Sequence, residues 1–265
     1  MLAGGIELDV LVALAGIAMV AGFLDAIAGG GGLITLPALF IAGIDPVAAI
    51  ATNKLQAASA TVSATVAFAR KGMIEWKKGY PIAIMAFVGG MTGALCVSII
   101  PNNILKSIVP FLLILVAIYF TFSPKLSNEH TNAKISSFAF ALLVAPLIGF
   151  YDGIFGPGVG SFFMASFVIL LGHGITKAMS YTKLANASCN IGSLTIFALN
   201  GSIILPIAFS MAIGAFIGAQ LGARSAIKFG PRLIKPILIT ISCLMALKLL
   251  LDPSNPLRNI VFASL

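Results

Sequence analysis

Ten apolar runs divide this chain, at about residues 8–27, 33–44, 47–69, 79–100, 104–122, 135–155, 159–172, 175–198, 203–223 and 233–251. Most approach 20 residues, the length that carries a helix across roughly 30 Å of hydrocarbon. Of the 265 residues, 59% are hydrophobic and 9% charged. The mean hydropathy of +1.08 lies far above that of a water-soluble globule. The expected fold is therefore all-α, a polytopic membrane protein with about 8–10 membrane segments.

The formal charge of +8 does not point to nucleic acid. The 16 Lys and Arg residues stand mostly between the apolar runs, without aromatic interleaving or a basic domain, and read as topology signals. Cys96, Cys189 and Cys243 lie singly inside apolar runs, without metal or disulfide spacing, and are expected to serve as packing residues. His130 and His173 stand apart from any metal-ligand pattern, so neither a metal nor another cofactor is expected. The first run follows an acidic start, Glu7 and Asp9, and lacks the basic region of a signal peptide, so it reads as a retained membrane segment.

The runs fall into two related groups of five. "GFLDAIAGGGGLITLPALF" (22–40) aligns without a gap to "GFYDGIFGPGVGSFFMASF" (149–167), with identity at 8 of 19 positions. Beyond it, a constant offset pairs Lys54 with Lys183, Leu55 with Leu184, and "AIMAFVGGMTGA" (83–94) with "AIGAFIGAQLGA" (212–223). This is an internal duplication. The loops indicate that its halves are inverted. Loop 70–78, "RKGMIEWKK", carries four basic residues, while its counterpart 199–207 carries no charge. Loop 224–235 carries four basic residues against only Lys106 in 95–106. Because basic loops stay in the cytoplasm, corresponding loops face opposite sides. Residues 1–122 form the first membrane repeat, 123–134 a cytoplasmic connection and 135–265 the second repeat, with both termini outside. The short second segment of each half is either a half-helix or the return arm of a re-entrant hairpin. Trp76 and Tyr80 beside the basic loop read as interfacial anchors.

Three sets of residues at equivalent places carry candidate chemistry. Four consecutive glycines, Gly29 to Gly32, cost a helix roughly 3–4 kcal/mol relative to alanine, and Pro157 among Gly156, Gly158 and Gly160 costs about as much alone. Each helix is expected to break there, where only protein or a cavity can satisfy the freed backbone. The N–H groups around Gly31, Gly32, Gly158 and Gly160, at the start of the next helix, suit an anion. Asp25 and Asp152 precede the two breaks, and a carboxylate at membrane depth caps, pairs with a cation or takes a proton. Lys54 and Lys183 lie about eight residues, roughly 12 Å, into the third segment of each half. Polar side chains surround them: Thr52, Asn53, Gln56, Ser59 and Thr61 in one half, Thr182, Asn186, Ser188 and Asn190 in the other. Thr182, Asn186 and Asn190 share one helical face, which is the wrong chemistry for lipid. No nucleophile and base are set up for an enzyme, and no P-loop follows either glycine run.

With "AGFLDAIAGGGGLITLPAL", "AIATNKLQ", "GFYDGIFGPGVGSFF" and "YTKLANASCNIG" in this order, the chain resembles the sulfite exporter TauE/SafE family over nearly its whole length. It is most similar to the transporter subgroup with "ATNKLQ". The resemblance implies a bacterial inner-membrane permease for small anions, particularly sulfur-containing ones. The expected partners are a small anion and the lipid bilayer, with no nucleic acid; self-association is left open. A secondary transporter working by alternating access is expected, with Lys54, Lys183, Asn53, Thr182, Gln56, Asn186, Asn190 and the glycine N–H groups binding the anion. Asp25 and Asp152 would set lysine charge or carry protons. An anion-selective channel is the alternative.

Overall fold

A computed structural model describes residues 8–122 and 131–222, together with positions 240 and 247. Every regular element among them is helical: α1 (Leu8–Ala28), α2 (Gly32–Ile41), α3 (Pro46–Arg70), α4 (Trp76–Ser98), α5 (Asn102–Phe122), α6 (Ser137–Ile154), α7 (Val159–Leu171), α8 (Ile175–Leu199) and α9 (Leu205–Gly222). Nine of the expected segments appear within a few residues of their sequence limits. Of the tenth, 233–251, only positions 240 and 247 are described, and Cys243 and His130 lie outside the described residues.

Length and polarity sort these helices by task. Four of them, α1, α4, α6 and α9, are long and apolar enough to cross a membrane. At 25 residues each, α3 and α8 extend about 38 Å, and their interior surfaces carry the polar residues. The helices α2 and α7, of 10 and 13 residues, extend only about 15 and 20 Å, half a crossing. Within α6 a π turn spans Phe140–Val144, immediately before Pro146, whose missing N–H interrupts the regular ladder.

Polarity is inside out relative to a soluble protein. Leu115, Ile84, Leu143, Leu147 and Ile213 stand more than half exposed, while Thr52, Asn53, Lys54, Gln56, Asp152, Lys183, Asn186 and Asn190 are buried. A lipid solvent requires this arrangement, because it accepts apolar side chains and leaves polar groups to find partners within the protein. The chain is a multi-pass membrane protein. Cys189 fills the core as expected, but Cys96 is exposed on α4; the helical period carries it to the outer face, so it does not pack inside.

The repeats exchange helices. A Cβ on Gly90 would stand 2.2 Å from the Cys189 carbonyl oxygen, and one on Gly149 2.5 Å from that of Ala86, so α4 of the first half lies against α6 and α8 of the second. Correspondingly, a Cβ on Gly22 would stand 2.5 Å from the Ala215 oxygen and one on Gly218 1.9 Å from the Met19 oxygen, which puts α9 against α1. Gly22 with Ala215 and Gly149 with Ala86 are repeat equivalents. Small residues permit this backbone approach, the packing that membranes favour when hydrophobic collapse is absent.

The short loops are tied down in a matching way. The Tyr181 hydroxyl donates to the Glu75 carbonyl at 3.3 Å, and the Ile204 N–H to the Thr52 hydroxyl at 3.1 Å, again at equivalent positions. Only the first loop is charged. There Glu75 pairs with Lys177 of α8 and, at 2.8 Å, with Lys78. Trp76 and Tyr80 flank it, exposed, with ring centroids 5.2 Å apart.

Replacing Gly218 with alanine is expected to cost roughly 1–3 kcal/mol through overpacking, measured by thermal unfolding in detergent. Gly16→Ala, where nothing lies within 4 Å, should be neutral or stabilising. Hydrogen bonds from Lys177 and Lys78 hold the Glu75 carboxyl below its ordinary 4.5, at about 2. The stability this adds is fully present above pH 4.5 and disappears as pH falls through about 2. The carboxylate is 48% exposed, so the contribution stays below about 1 kcal/mol. A melting difference between the protein and Glu75→Gln should therefore be small at neutral pH and close on acidification.

Candidate functional site

The glycine motifs do break their helices. After α1 the chain passes through Gly29 at φ 71° and Gly30 at φ 117°; after α6 it passes through Gly156 at 99° and Gly158 at 84°. Side chains rarely adopt this region, which explains glycine at these places. The two breaks touch. A Cβ on Gly29 would meet the Gly160 carbonyl carbon at 3.0 Å, and one on Gly32 would meet Pro157 Cα at 3.3 Å. Two interrupted helices from different halves therefore share one interior junction.

Each junction strand is stabilised by a lysine from the other half. Lys54 of α3 lies 2.9 Å from Asp152 Oδ2 and donates to the Asp152 carbonyl. Lys183 of α8 lies 2.9 Å from Asp25 Oδ2 and donates to the Asp25 carbonyl at 2.6 Å. Both lysines thus sit at the C-terminal end of a broken helix, where freed carbonyls and the negative dipole end favour a cation. Their side chains are 1% and 2% exposed, which excludes snorkelling to the interface. The pairing is crossed between halves; no spacing in the sequence could show which carboxylate meets which lysine.

Around the junction lies a cavity of about 30 Å³, above the roughly 10–15 Å³ that one water requires. It is far below the roughly 300–1,000 Å³ of sites for drug-sized ligands, so this conformation accommodates solvent or a compact ion. Of the expected residues, Asp25, Asp152, Lys54, Asn53, Gln56, Asn186, Asn190, Gly31, Gly32 and Gly158 line it, joined by Gly30, Ala57, Ala60, Thr61, Gly156 and Val159. Lys183, Thr182 and Gly160 do not line it. Lys183 is turned to Asp25, Gly160 lies against Gly29, and the Thr182 hydroxyl is buried with no hydrogen-bond partner among the described residues.

The backbone donors also divide unequally. Asp25 Oδ1 accepts the N–H of Gly30 at 2.9 Å and of Gly31 at 3.0 Å. A carboxylate of this chain thus occupies the anion position that the first break offers, and Gly31 is already engaged. The amides are oriented by neighbours: Thr35 donates to Asn53 Oδ1 at 2.6 Å, and Asn190 Nδ2 donates to Asn186 Oδ1 at 2.7 Å. Thr35 was not among the expected residues. It is the single polar side chain in the α2 sequence "GLITLPALFI", and that isolation was the available signal. His173 packs against Phe167 with ring centroids 6.1 Å apart.

A buried polar junction built where two broken helices meet is a feature of transporter folds, and comparison with known proteins points the same way. A model of the sulfite exporter TauE/SafE family matches residues 14–249. The chain belongs to this family. It is 46% identical to "Probable membrane transporter protein ORF9" of Sinorhizobium sp, covering 91% of this chain and 92% of that one. It is 44% identical to "Probable membrane transporter protein YfcA" of Escherichia coli (strain K12), covering 89% and 88%. Similarity reaches an archaeal relative, "Probable membrane transporter protein MJ0441" of Methanocaldococcus jannaschii, at 27% identity over 67% of this chain and 69% of that one. No solved structure matches. Family and relatives together make this TauE/SafE member a membrane transporter protein.

The crossed pairs lend themselves to a double-mutant cycle. Lys54→Ala or Asp152→Ala alone leaves one uncompensated buried charge and should cost roughly 3–5 kcal/mol. The double replacement should recover most of that loss, so that the two single costs together exceed the double by several kcal/mol, read from unfolding of the purified protein in detergent.

Proposed function

We propose that this TauE/SafE member is a secondary transporter moving a small anion, a sulfur-containing oxyanion or organosulfonate, across the bacterial inner membrane by alternating access. The observation carrying this reading is the small cavity at the meeting of the two glycine breaks, lined by Lys54, Asn53, Gln56, Asn186, Asn190 and Gly158. An anion there faces one ammonium, several amides and the start of α7, and is released from lipid by residues of both halves. Lys183 and Gly160 act one layer out, by holding Asp25 and the glycine contact. Alternating access requires the halves to move about this small cavity, opening it to one side at a time. In this reading the two repeats are inverted, loop 123–134 and the basic loops face the cytoplasm, both termini lie outside, and the protein performs no covalent chemistry. The name of the family supports sulfite as the first ligand to test.

Purified protein in liposomes should take up labelled sulfite or a short alkylsulfonate with saturation and with counterflow. Gln56→Ala, which leaves no unpaired charge behind, should lower apparent affinity about tenfold, as expected from the loss of one charge-directed hydrogen bond. Flux without saturation or counterflow would establish a channel instead.

A further inference from the structure

The duplication makes the two Lys–Asp pairs look interchangeable, but their surroundings differ. Asp25 is fully engaged: Oδ1 takes two glycine N–H groups, Oδ2 takes Lys183, and Lys183 does not line the cavity. Protonating Asp25 would break bonds that brace the first glycine turn. Asp152 receives no backbone N–H among the described residues; its carboxylate is held only by side chains, Lys54 at 2.9 Å from Oδ2 and the Cys189 thiol. Both members of this second pair line the cavity. The groups facing Asp152 are Lys54 from α3, Asp25 from α1 with Lys183 behind it, and Cys189 from α8. The helix α4 brings Gly90, Gly93 and Ala94, none of them titratable, against the adjoining backbone at Gly153. Tyr151, beside it on α6, is turned away to donate to the Pro157 carbonyl.

We propose that the two halves have divided the work: Asp152 with Lys54 is the proton-coupling pair of the transport cycle, while Asp25 with Lys183 is a fixed brace. The proposal rests on the anion-transport reading above. Two lysines and two aspartates leave the junction neutral, so a monovalent anion entering alone would add a net negative charge at membrane depth, which is costly. When the anion arrives at Lys54, a hydronium ion gives a proton to Asp152: its O–H bond breaks to leave water, an O–H bond forms on the carboxylate, and the ion pair opens. The loaded junction is neutral again. One proton therefore accompanies each monovalent anion, and both leave when the pair closes, the Asp152 O–H bond breaking to return the proton to water.

The test uses infrared difference spectra of the full chain in lipid vesicles during a pH titration, without any ligand, alongside sulfite flux. Subtracting the spectra of Asp152→Asn from those of the unaltered protein should leave a protonated-carboxyl C=O band that grows in on acidification, shifts in frequency in Asp152→Glu, and remains in Asp25→Asn. Asp152→Glu covers the case in which Asp152→Asn does not fold. No such difference band, or one that moves only with Asp25 variants, overturns the division. In vesicles an inward proton gradient should accelerate sulfite entry at least tenfold in the unaltered protein. Asp152→Asn should lose that acceleration, read as the ratio of its own sulfite flux with and without the gradient; acceleration retained in Asp152→Asn overturns the proposal. Absence of any sulfite movement in the unaltered protein counts against the transport reading, while the carboxyl band still decides which aspartate titrates.

Discussion

The crossed ion pairs at the helix breaks are the constraint on which the rest of the structure depends. A helix interrupted in lipid exposes carbonyls that water cannot satisfy. Here each interruption ends on an aspartate whose side chain and carbonyl are met by one lysine from the opposite half. The breaks are thereby tolerable, and because each lysine belongs to the other repeat, neither break can be completed by one half alone. The junction is consequently a property of the assembled pair of repeats.

Close helix packing brings those lysines into position. The helices α3 and α8 pack against each other and project their polar surfaces inward, while the exchanged contacts of α4 with α6 and of α9 with α1 close the sides. Glycine lines these contacts where a Cβ would collide with a facing carbonyl. Van der Waals approach takes the place of the hydrophobic effect, which gives no preference for helix over lipid. The apolar exterior and polar interior then follow from the same solvent.

Function grows from what the pairing leaves over. At the first break the carboxylate takes the backbone donors, so the site there is filled by the chain itself. At the second break the donors are not used in that way, and Lys54 with the amides of α3 and α8 faces open volume. A duplicated sequence has therefore produced a junction that is two-fold in outline and unequal in chemistry.

Much of this was legible beforehand. Run length and composition determined helices, a lipid solvent and nine segment positions, because the 30 Å span and the need to satisfy backbone groups leave few alternatives. The glycine runs announced the breaks, because residues with side chains rarely adopt φ values such as those of Gly29 and Gly156. The internal repeat announced that Lys54 and Lys183, and Asp25 and Asp152, are counterparts. Only the tertiary structure decided that Lys54 meets Asp152 and Lys183 meets Asp25, partners 98 and 158 residues apart. It likewise decided that Gly31 serves Asp25, that Lys183 and Thr182 stay outside the cavity, and that Thr35 orients Asn53. Those choices depend on which surfaces the exchanged helices bring together, and a local pattern of residues carries no information about distances across the bundle.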